Sequence, residues 1–344
     1  MPHIVGAGAL GTLWALRLKA AGLSPTLLVR SAPTAAAIRL RVINEHSDGS
    51  AEEHSARLEH AGAAGTPIST LIVATKAFDA RAAVSILAPR IDPTGAVILL
   101  CNGALALAED LSADLPRTTR LYAATTTHGA NIVATGAAER EVRHAGFGAT
   151  WVGPLRADAH ELPDEGVLEP LRRCGLGAQP ERADATRARL WLKLAASATI
   201  NPLTARWQCR NGEALSTPER RAYAHGVCAE MAACGPPDGV TVDTLRAFVE
   251  TTVEHSAANI SSMLADVRAG RRTEIEQFNG WIARRAEARG VPCPHTHAGA
   301  EWIRARSAPS QQQSRRQQCQ SPAKNRRIAD LSALACAACP CCWG

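Results

Sequence analysis

An α/β domain on a doubly wound, mostly parallel sheet, followed by an all-α domain, is the fold class that three observations predict. The chain opens on a short apolar run leading into His3-Ile4-Val5-Gly6-Ala7-Gly8-Ala9-Leu10-Gly11. Apolar runs that end abruptly in polar residues then alternate with helix-like stretches up to about residue 182. From about Ala183 the pattern changes to long helices.

The first element reads as strand, glycine turn and helix, the helix running from Thr12 to Ala21. In isolation G-x-G-x-x-G marks only a turn; between a strand and a helix it marks a dinucleotide site. Gly6 allows the turn, Gly8 admits a pyrophosphate close to the backbone, and Gly11 lets helix and strand pack. Ala7, Ala9 and Leu10 complete the loop, whose helix N-terminus offers free N–H groups to phosphate. A second strand, Pro25 to Val29, ends at Arg30, nineteen residues after Gly11, where an NAD enzyme usually carries Asp or Glu. A cation there pairs with a 2′-phosphate, so the expected cofactor is NADP(H). The domain is therefore Rossmann-type.

Three further runs continue the sheet. Leu71 to Ala74 ends at Thr75-Lys76, Ala96 to Leu100 at Cys101-Asn102-Gly103, and Leu121 to Ala124 at Thr125-Thr126-Thr127-His128. Helix-like stretches, Ala80 to Leu87 and Ala104 to Leu111, lie between them. Ligands of such sheets bind at the carboxyl ends of the strands, where Arg30, Lys76, Asn102 and Thr125 all fall. Glu141–His144 and Ala149–Val152, joined near Gly146 and Gly148, read as an antiparallel hairpin extending the sheet.

In the helical part, Arg187 to Thr199 reads as a helix ended at Asn201 by Pro202. Lys193, Ser197 and Asn201 follow at i, i+4 and i+8 and make one polar stripe. A lysine on a helix is usually a solvated side chain; one aligned with small polar residues and facing a nucleotide domain is a site candidate. A long helix capped by Thr241 or Asp243 includes Asn259, Ser262 and Asp266 on one face and ends at Gly270. Thr273-Glu274-Ile275-Glu276 reads as a capping box opening the next helix, with Glu274 in its first turn. That structural role is adequate for Glu274 by itself.

The expected organisation is a nucleotide domain over 1–182, a helical substrate domain over 183–306 and a low-complexity tail over 307–344. The tail is rich in Gln, Arg and Cys and reads as disordered, or as sequence alien to the fold. Its cluster Cys336, Cys339, Cys341 and Cys342 has no second ligand pair at finger spacing, so no metal is expected. Cys101, Cys174, Cys209, Cys228, Cys234 and Cys293 are scattered singly through the body, as buried small hydrophobes are. Of the net charge of +6, five cations (Arg315, Arg316, Lys324, Arg326 and Arg327) against Asp330 sit in the tail. The body is close to neutral, which argues against a nucleic-acid-binding fold. Apolar runs are strand-length and the fingerprint begins at the N-terminus, so neither a membrane span nor a signal peptide is expected. These features predict a soluble cytoplasmic protein acting on a small molecule, as monomer or homodimer.

At this point the motifs carry a resemblance. Gly6-Ala7-Gly8-Ala9-Leu10-Gly11, Lys76-Ala77, Asn102-Gly103, Thr125-Thr126-Thr127-His128 and Lys193-Leu194-Ala195 stand in order. So do Ile200-Asn201-Pro202-Leu203-Thr204-Ala205, Asn211-Gly212-Glu213, Asn259-Ile260-Ser261-Ser262-Met263-Leu264, Thr273-Glu274-Ile275 and Asn279-Gly280. From the first glycine to about residue 297 the chain resembles ketopantoate reductase. The resemblance implies NADPH-dependent reduction of 2-dehydropantoate to (R)-pantoate, a step toward pantothenate and coenzyme A. It implies Lys193 as general acid on the ketone oxygen and Glu274 as the residue that helps bind substrate and position the lysine. Asn102 would lie beside nicotinamide and ketone, and Asn201, Asn211, Asn259 and Ser262 would hold the substrate's hydroxyl and carboxylate. The glycine loop, Arg30 and Lys76 would hold the nucleotide, with Thr125, Asn102 and Glu274 beside it. Ser197 stands where the family commonly has asparagine, which suggests a related NADP-dependent 2-keto acid reductase as one alternative. A non-catalytic NADPH-binding sensor is the alternative of another class; the presence of Lys193 and Glu274 counts against it.

Overall fold

The N-terminal strand β1 (Pro2–Val5) lies at the middle of the sheet and feeds helix α1 (Ala9–Ala20) through the glycine loop. The computed structural model describes residues 1–44, 51–136, 138–156 and 162–307; the expectations for the tail and for its cluster of Cys336, Cys339, Cys341 and Cys342 lie outside the described residues. Strands β2 (Thr26–Val29), β3 (Ala37–Asn44), β4 (Ala51–His60) and β5 (Ile68–Val73) follow, then helix α2 (Ala77–Leu87) and strand β6 (Ile91–Leu99). Helix α3 (Ala104–Asp114) leads to β7 (Arg120–Thr126), β8 (Gly129–Thr135), β9 (Glu139–Gly146) and β10 (Thr150–Pro154). Helix α4 (Glu165–Arg173) and strand β11 (Ala178–Pro180) end the sheet-bearing part.

Six of these strands, in the order β7-β6-β5-β1-β2-β4, run parallel; all but β4 are the apolar runs whose alternation with helices predicts a parallel sheet. Because successive strand residues face opposite sides, Ile4 joins the core formed by Leu13, Trp14 and Leu16 of α1. Val5 joins the opposite core, with Ala80, Val84 and Leu87 of α2 and Leu107 and Leu111 of α3. That two-sided burial is what makes the central parallel strands β1, β5 and β6 largely apolar runs.

The flanks of the sheet differ from the sequence reading. The expected hairpin of 141–144 with 149–152 does not form. Strand β9 instead pairs antiparallel with β8 and parallel with β3, while β10 pairs antiparallel with β7 and parallel with β11. Gly146 sits opposite Gly129, and the chain leaves that ladder through Phe147 and Gly148 to reach Thr126 with Thr150. The β3–β4 pair went unseen because its outward positions carry charge: of β4 only Ala56 and Leu58 are buried.

Only Thr127 and His128 connect β7 to β8, although these strands stand near opposite ends of the strand order. The sheet must therefore curl, and α1 packs against β3, β4, β8 and β9 inside the curl. This explains why the first turns of α1 are buried nearly all round, with Gly11 to Leu16 and Leu18 inside and Arg17 paired with Glu52.

The helical part begins with α5 (Ala183–Trp207), followed by α6 (Pro218–Ala233), α7 (Val242–His255), α8 (Ser262–Arg268), α9 (Asn279–Glu287) and α10 (Pro294–Ser307). Two boundaries correct the expectations. Helix α5 does not stop at Asn201 but continues through Pro202 to Trp207. A proline at this place leaves the carbonyl of Ala198 without its helical donor, a loss of about 1–3 kcal/mol if buried and unmet. Here the Tyr223 hydroxyl and the Asn279 amide both donate to it, each at 3.2 Å. The proline is thus tolerated in mid-helix.

The single helix expected up to Gly270 is two, α7 and α8, with residues 256–261 between them. The Ser256 hydroxyl turns back to Thr252 O, and the Ser261 hydroxyl accepts from Leu264 N as a new cap. Carbonyls released by the break are used: Asn211 N donates to Asn259 O and Gly212 N to Ala257 O. The break therefore tethers the turn that holds Asn211. Residues Met1–Ser307 form one unit, and among the described residues no helix is long and apolar enough to cross a membrane.

Candidate active site

The glycine loop meets the steric demands of a dinucleotide site. Gly6 has φ +104°, and a Cβ there would lie 2.7 Å from the Ala74 carbonyl carbon. A Cβ on Gly11 would lie 1.9 Å from Gly6 O, so backbone packing alone requires glycine. At Gly8 the reason is different: a Cβ would meet nothing within 4 Å. The protein leaves room above Gly8, at the N-cap of α1, where the first-turn amides have no helical acceptors. Ala7, Ala9 and Leu10 pack their small or half-buried side chains against the α1 core. Arg30 ends β2 with its side chain exposed. An open cradle, free amides and a cation at the second strand fit a 2′-phosphorylated dinucleotide.

The next strand end carries an electrostatic clamp between the two parts of the chain. Lys76, at the N-cap of α2, places Nζ 2.7 Å from Asp266 Oδ2 and 3.5 Å from Glu274 Oε2. Burial alone would depress the Lys76 ammonium, but Glu274 and Asp266 outweigh it and hold its pKa above the ordinary lysine value. Glu274 Oε1 accepts from Ala77 N at 3.0 Å, so the carboxylate also meets the positive end of α2. Asp266 is fixed from its other oxygen by Arg271 Nε at 2.9 Å.

This arrangement replaces the expected capping box at Thr273–Glu276. No helix starts there; α9 begins at Asn279. The Glu276 carboxylate goes to Arg304 at 2.7 and 2.9 Å rather than back to the chain, and Glu274 is left to bridge to α2.

Helix α5 presents a stripe to the carboxyl ends of the strands. Lys193 and Ser197 line both a small cavity of about 20 Å³, shared with Cys101, Asn102 and Gln277, and a larger cleft of about 390 Å³. The cleft adds Trp151, Arg189, Asn201, Asn211 and Phe248, and Thr125 lines both spaces. Lys193 Nζ donates to Thr126 O at 3.3 Å. Burial holds the Lys193 ammonium below the ordinary lysine pKa, with Cys101 and Glu274 opposing this in part. Burial, with Glu274 adding to it, pushes the Cys101 thiol up to about 12, so the thiol is neutral near pH 7.

Asn211 has a defined orientation. Its Nδ2 donates to Ser256 Oγ at 3.0 Å, and that hydroxyl spends its own proton on Thr252 O at 2.6 Å. Ser256 must therefore accept, which fixes the amide group and leaves Asn211 Oδ1 as a buried acceptor with no partner among the described residues. An acceptor without a donor is costly to bury, and a bound hydroxyl would relieve it.

Of the candidates read from sequence, Asn102, Thr125, Lys193, Ser197, Asn201 and Asn211 come together around these two spaces. Asn259 and Ser262 do not line either; both side chains are exposed. Asn259 reaches the site through its backbone bond to Asn211, and Ser262 opens α8 beside the buried Ser261. Asp266 is named in the sequence reading without a role of its own, and Gln277 is not named. The place of Asp266 on the face of Asn259 and Ser262 is legible in sequence, but its ion pair with Lys76 is not. Gln277 Oε1, buried without a partner among the described residues, has no sequence signal at all.

Known proteins are similar to this chain along most of its length. The family model for ketopantoate reductase PanE/ApbA matches residues 3–157, and its C-terminal counterpart matches residues 185–307. A 2-dehydropantoate 2-reductase from Shigella flexneri is 32% identical over 312 residues, spanning 89% of this chain and 94% of the relative. One from Archaeoglobus fulgidus is 31% identical over 291 residues, 85% and 92% respectively. Among solved structures, a D-mandelate dehydrogenase in complex with NADH and anilino(oxo)acetate aligns with a TM-score of 0.74 at 19% identity. It covers 89% of this chain and 98% of its own. A PanE/ApbA family ketopantoate reductase from Ralstonia eutropha gives a TM-score of 0.73 at 23% identity, with the same coverage. At such identities the structures speak for the fold. The family models and the relatives above 30% identity go further: the chain belongs to the ketopantoate reductase family.

Proposed function

We propose that this chain reduces 2-dehydropantoate to (R)-pantoate with NADPH, in the route to pantothenate and coenzyme A. The observation that carries the reading is Lys193, half-buried where the small cavity beside Asn102 meets the cleft lined by Asn201 and Asn211. NADPH, when bound, supplies the hydride to the ketone carbon. The ketone oxygen then gains negative charge, and Lys193 Nζ gives it a proton; hydride and proton together complete the two-electron reduction. Burial eases release of that proton by lowering the lysine pKa.

Gly6 to Gly11 and Arg30 would hold the cofactor, with Lys76, Asn102 and Thr125 at the neighbouring strand ends. Glu274 holds the helical part against the α2 terminus and faces the lysine electrostatically. Asn102, Ser197, Asn201 and Asn211 would bind the substrate through neutral hydrogen bonds, with Asn259 and Ser262 as outer candidates. In this reading residues 1–182 bind the nucleotide and 183–306 the substrate. The six described cysteines outside the tail are free, which fits a reducing, cytoplasmic setting. The assembly is a monomer or homodimer; one ketopantoate reductase neighbour, from Staphylococcus aureus, is described as dimeric.

Ser197 favours one second reading, a reductase for another 2-oxo acid, because a short side chain at both spaces enlarges them. Following NADPH absorbance with ketopantoate, pyruvate, 2-oxoisovalerate and phenylglyoxylate separates the two. The proposal expects saturable turnover with ketopantoate at least tenfold more efficient than with the others. A clear preference for another member of the panel overturns it.

A further inference from the structure

We infer that Gln277 is a positioning residue for Lys193: its amide oxygen and the lysine ammonium hold one ordered water between them in the small cavity. The inference rests on Lys193 being the proton donor, and it concerns that cavity rather than the larger cleft.

Gln277 and Glu274 share one turn, in which Gln277 N donates to Glu274 O at 3.1 Å. Glu274 fastens the turn to α2 through Ala77 N. The turn also packs on the start of α3, where Gly103 has φ +70° and a Cβ would lie 3.1 Å from Gln277 Cβ. Glycine after Asn102 therefore lets the turn close onto that loop. Gln277 thereby lines the cavity together with Cys101, Asn102, Lys193 and Ser197.

Three observations converge on a water. The cavity volume of about 20 Å³ suits a single molecule, which needs roughly 10–15 Å³ and a few polar neighbours. Gln277 Oε1 is buried and meets no donor among the described residues. An ammonium carries three N–H groups. Lys193 gives one to Thr126 O at 3.3 Å, and the others meet no acceptor among the described residues. The ketone oxygen takes one of them. The water accepts the other and donates its own O–H to Gln277 Oε1. An unmet buried acceptor is costly, and a bridging water relieves it at little entropic cost. With two of its protons held, the ammonium aims the third at the ketone.

Few charged or titratable groups face Lys193. Cys101, at the end of β6, and Glu274, in the turn before α9, both act on it. Arg189, one turn back on α5, lines the cleft, and its Nε donates to Glu181 Oε1 at 2.7 Å. The other residues around the two spaces, from β7, β10, α3 and α7, are neutral. An acceptor reached through water favours the protonated lysine, so losing it lowers the lysine pKa.

The competing role is packing, with Gln277 filling the joint between the turn and the Asn102 loop beside a dry cavity. A high-resolution crystal structure of the unaltered full chain separates the two. The inference expects one ordered water within about 3.2 Å of both Gln277 Oε1 and Lys193 Nζ. A dry cavity, or Nζ seated directly on Oε1, overturns it. Gln277→Met keeps the length of the side chain and removes the acceptor. The alkaline limb of kcat/KM for ketopantoate then moves to lower pH by about half a pH unit or more. In the same variant kcat falls roughly threefold or more, with a smaller change in KM. Gln277→Glu keeps an acceptor, adds a negative charge and moves the limb to higher pH; it carries the test if the methionine variant does not fold. A limb that stays in place in either variant overturns the inference. Full turnover in Lys193→Ala overturns instead the functional reading beneath it and leaves the crystallographic result standing.

Discussion

Glu274 Oε1 accepts a hydrogen bond from Ala77 N at 3.0 Å, across a sequence separation of 197 residues. The carboxylate is buried and its other oxygen lies 3.5 Å from Lys76 Nζ. One side chain therefore fastens the helical part to the start of α2, beside the strand ends where the nucleotide loop lies.

Glu274→Ala removes that fastening and leaves a buried N–H unmet. We expect a stability loss of about 1–3 kcal/mol in urea denaturation and at least a tenfold drop in kcat/KM. Glu274→Gln keeps an acceptor for Ala77 N but not the charge facing Lys76, so its stability loss is smaller than that of the alanine variant. Unchanged stability in both variants would remove the clamp from the account.

The two glycines of the loop should separate folding from binding. Gly8→Ala adds a methyl where the protein has nothing within 4 Å, so thermal stability stays near that of the parent while NADPH affinity falls at least tenfold. Gly11→Ala drives a Cβ into Gly6 O and destabilises the fold itself. Differential scanning calorimetry and nucleotide titration measure the two effects. Equal NADPH affinity in a well-folded Gly8→Ala protein would move the phosphate site elsewhere.

The carbonyl released by Pro202 makes a third test. Tyr223→Phe leaves Asn279 to serve Ala198 O and costs about 0.5–1.5 kcal/mol. Asn279→Ala costs more, because the amide also donates to Thr296 O and its removal opens a void beside Tyr223. Denaturant midpoints give the order. A larger loss for the tyrosine variant would contradict the division of work described here.

The pH dependence follows from Lys193. A general acid works while protonated, so kcat/KM declines as pH rises through its pKa. Burial sets that pKa below the value of about 10.4 for an exposed lysine, and the alkaline limb should sit correspondingly low. A limb at or above the exposed-lysine value would show that another group titrates.

Much of this was legible in the sequence, for reasons that particular residues make plain. Strands buried on both faces announce themselves as apolar runs, so β1, β2, β5, β6 and β7 were readable, and so were the polar residues at their ends. The i, i+4 spacing placed Lys193, Ser197 and Asn201 on one stripe. Local rules failed where a distant partner changed the balance. Pro202 looked like a helix stop because its remedy, Tyr223 and Asn279, lies 21 and 77 residues further along the chain. Thr273–Glu276 looked like a capping box because Arg304 and Ala77, which claim its carboxylates, are remote. The β8–β9 pairing was hidden for a similar reason: its register depends on two glycines meeting inside a curled sheet.

The most direct test of the central claim is Lys193→Ala, with ketopantoate turnover and NADPH affinity measured on the same preparation. Removal of the general acid should cut kcat roughly a hundred- to ten-thousand-fold and leave NADPH affinity within a few-fold of the parent. Turnover equal to that of the unaltered protein would contradict the account, because the proton would then come from somewhere other than the lysine at the junction of the two spaces.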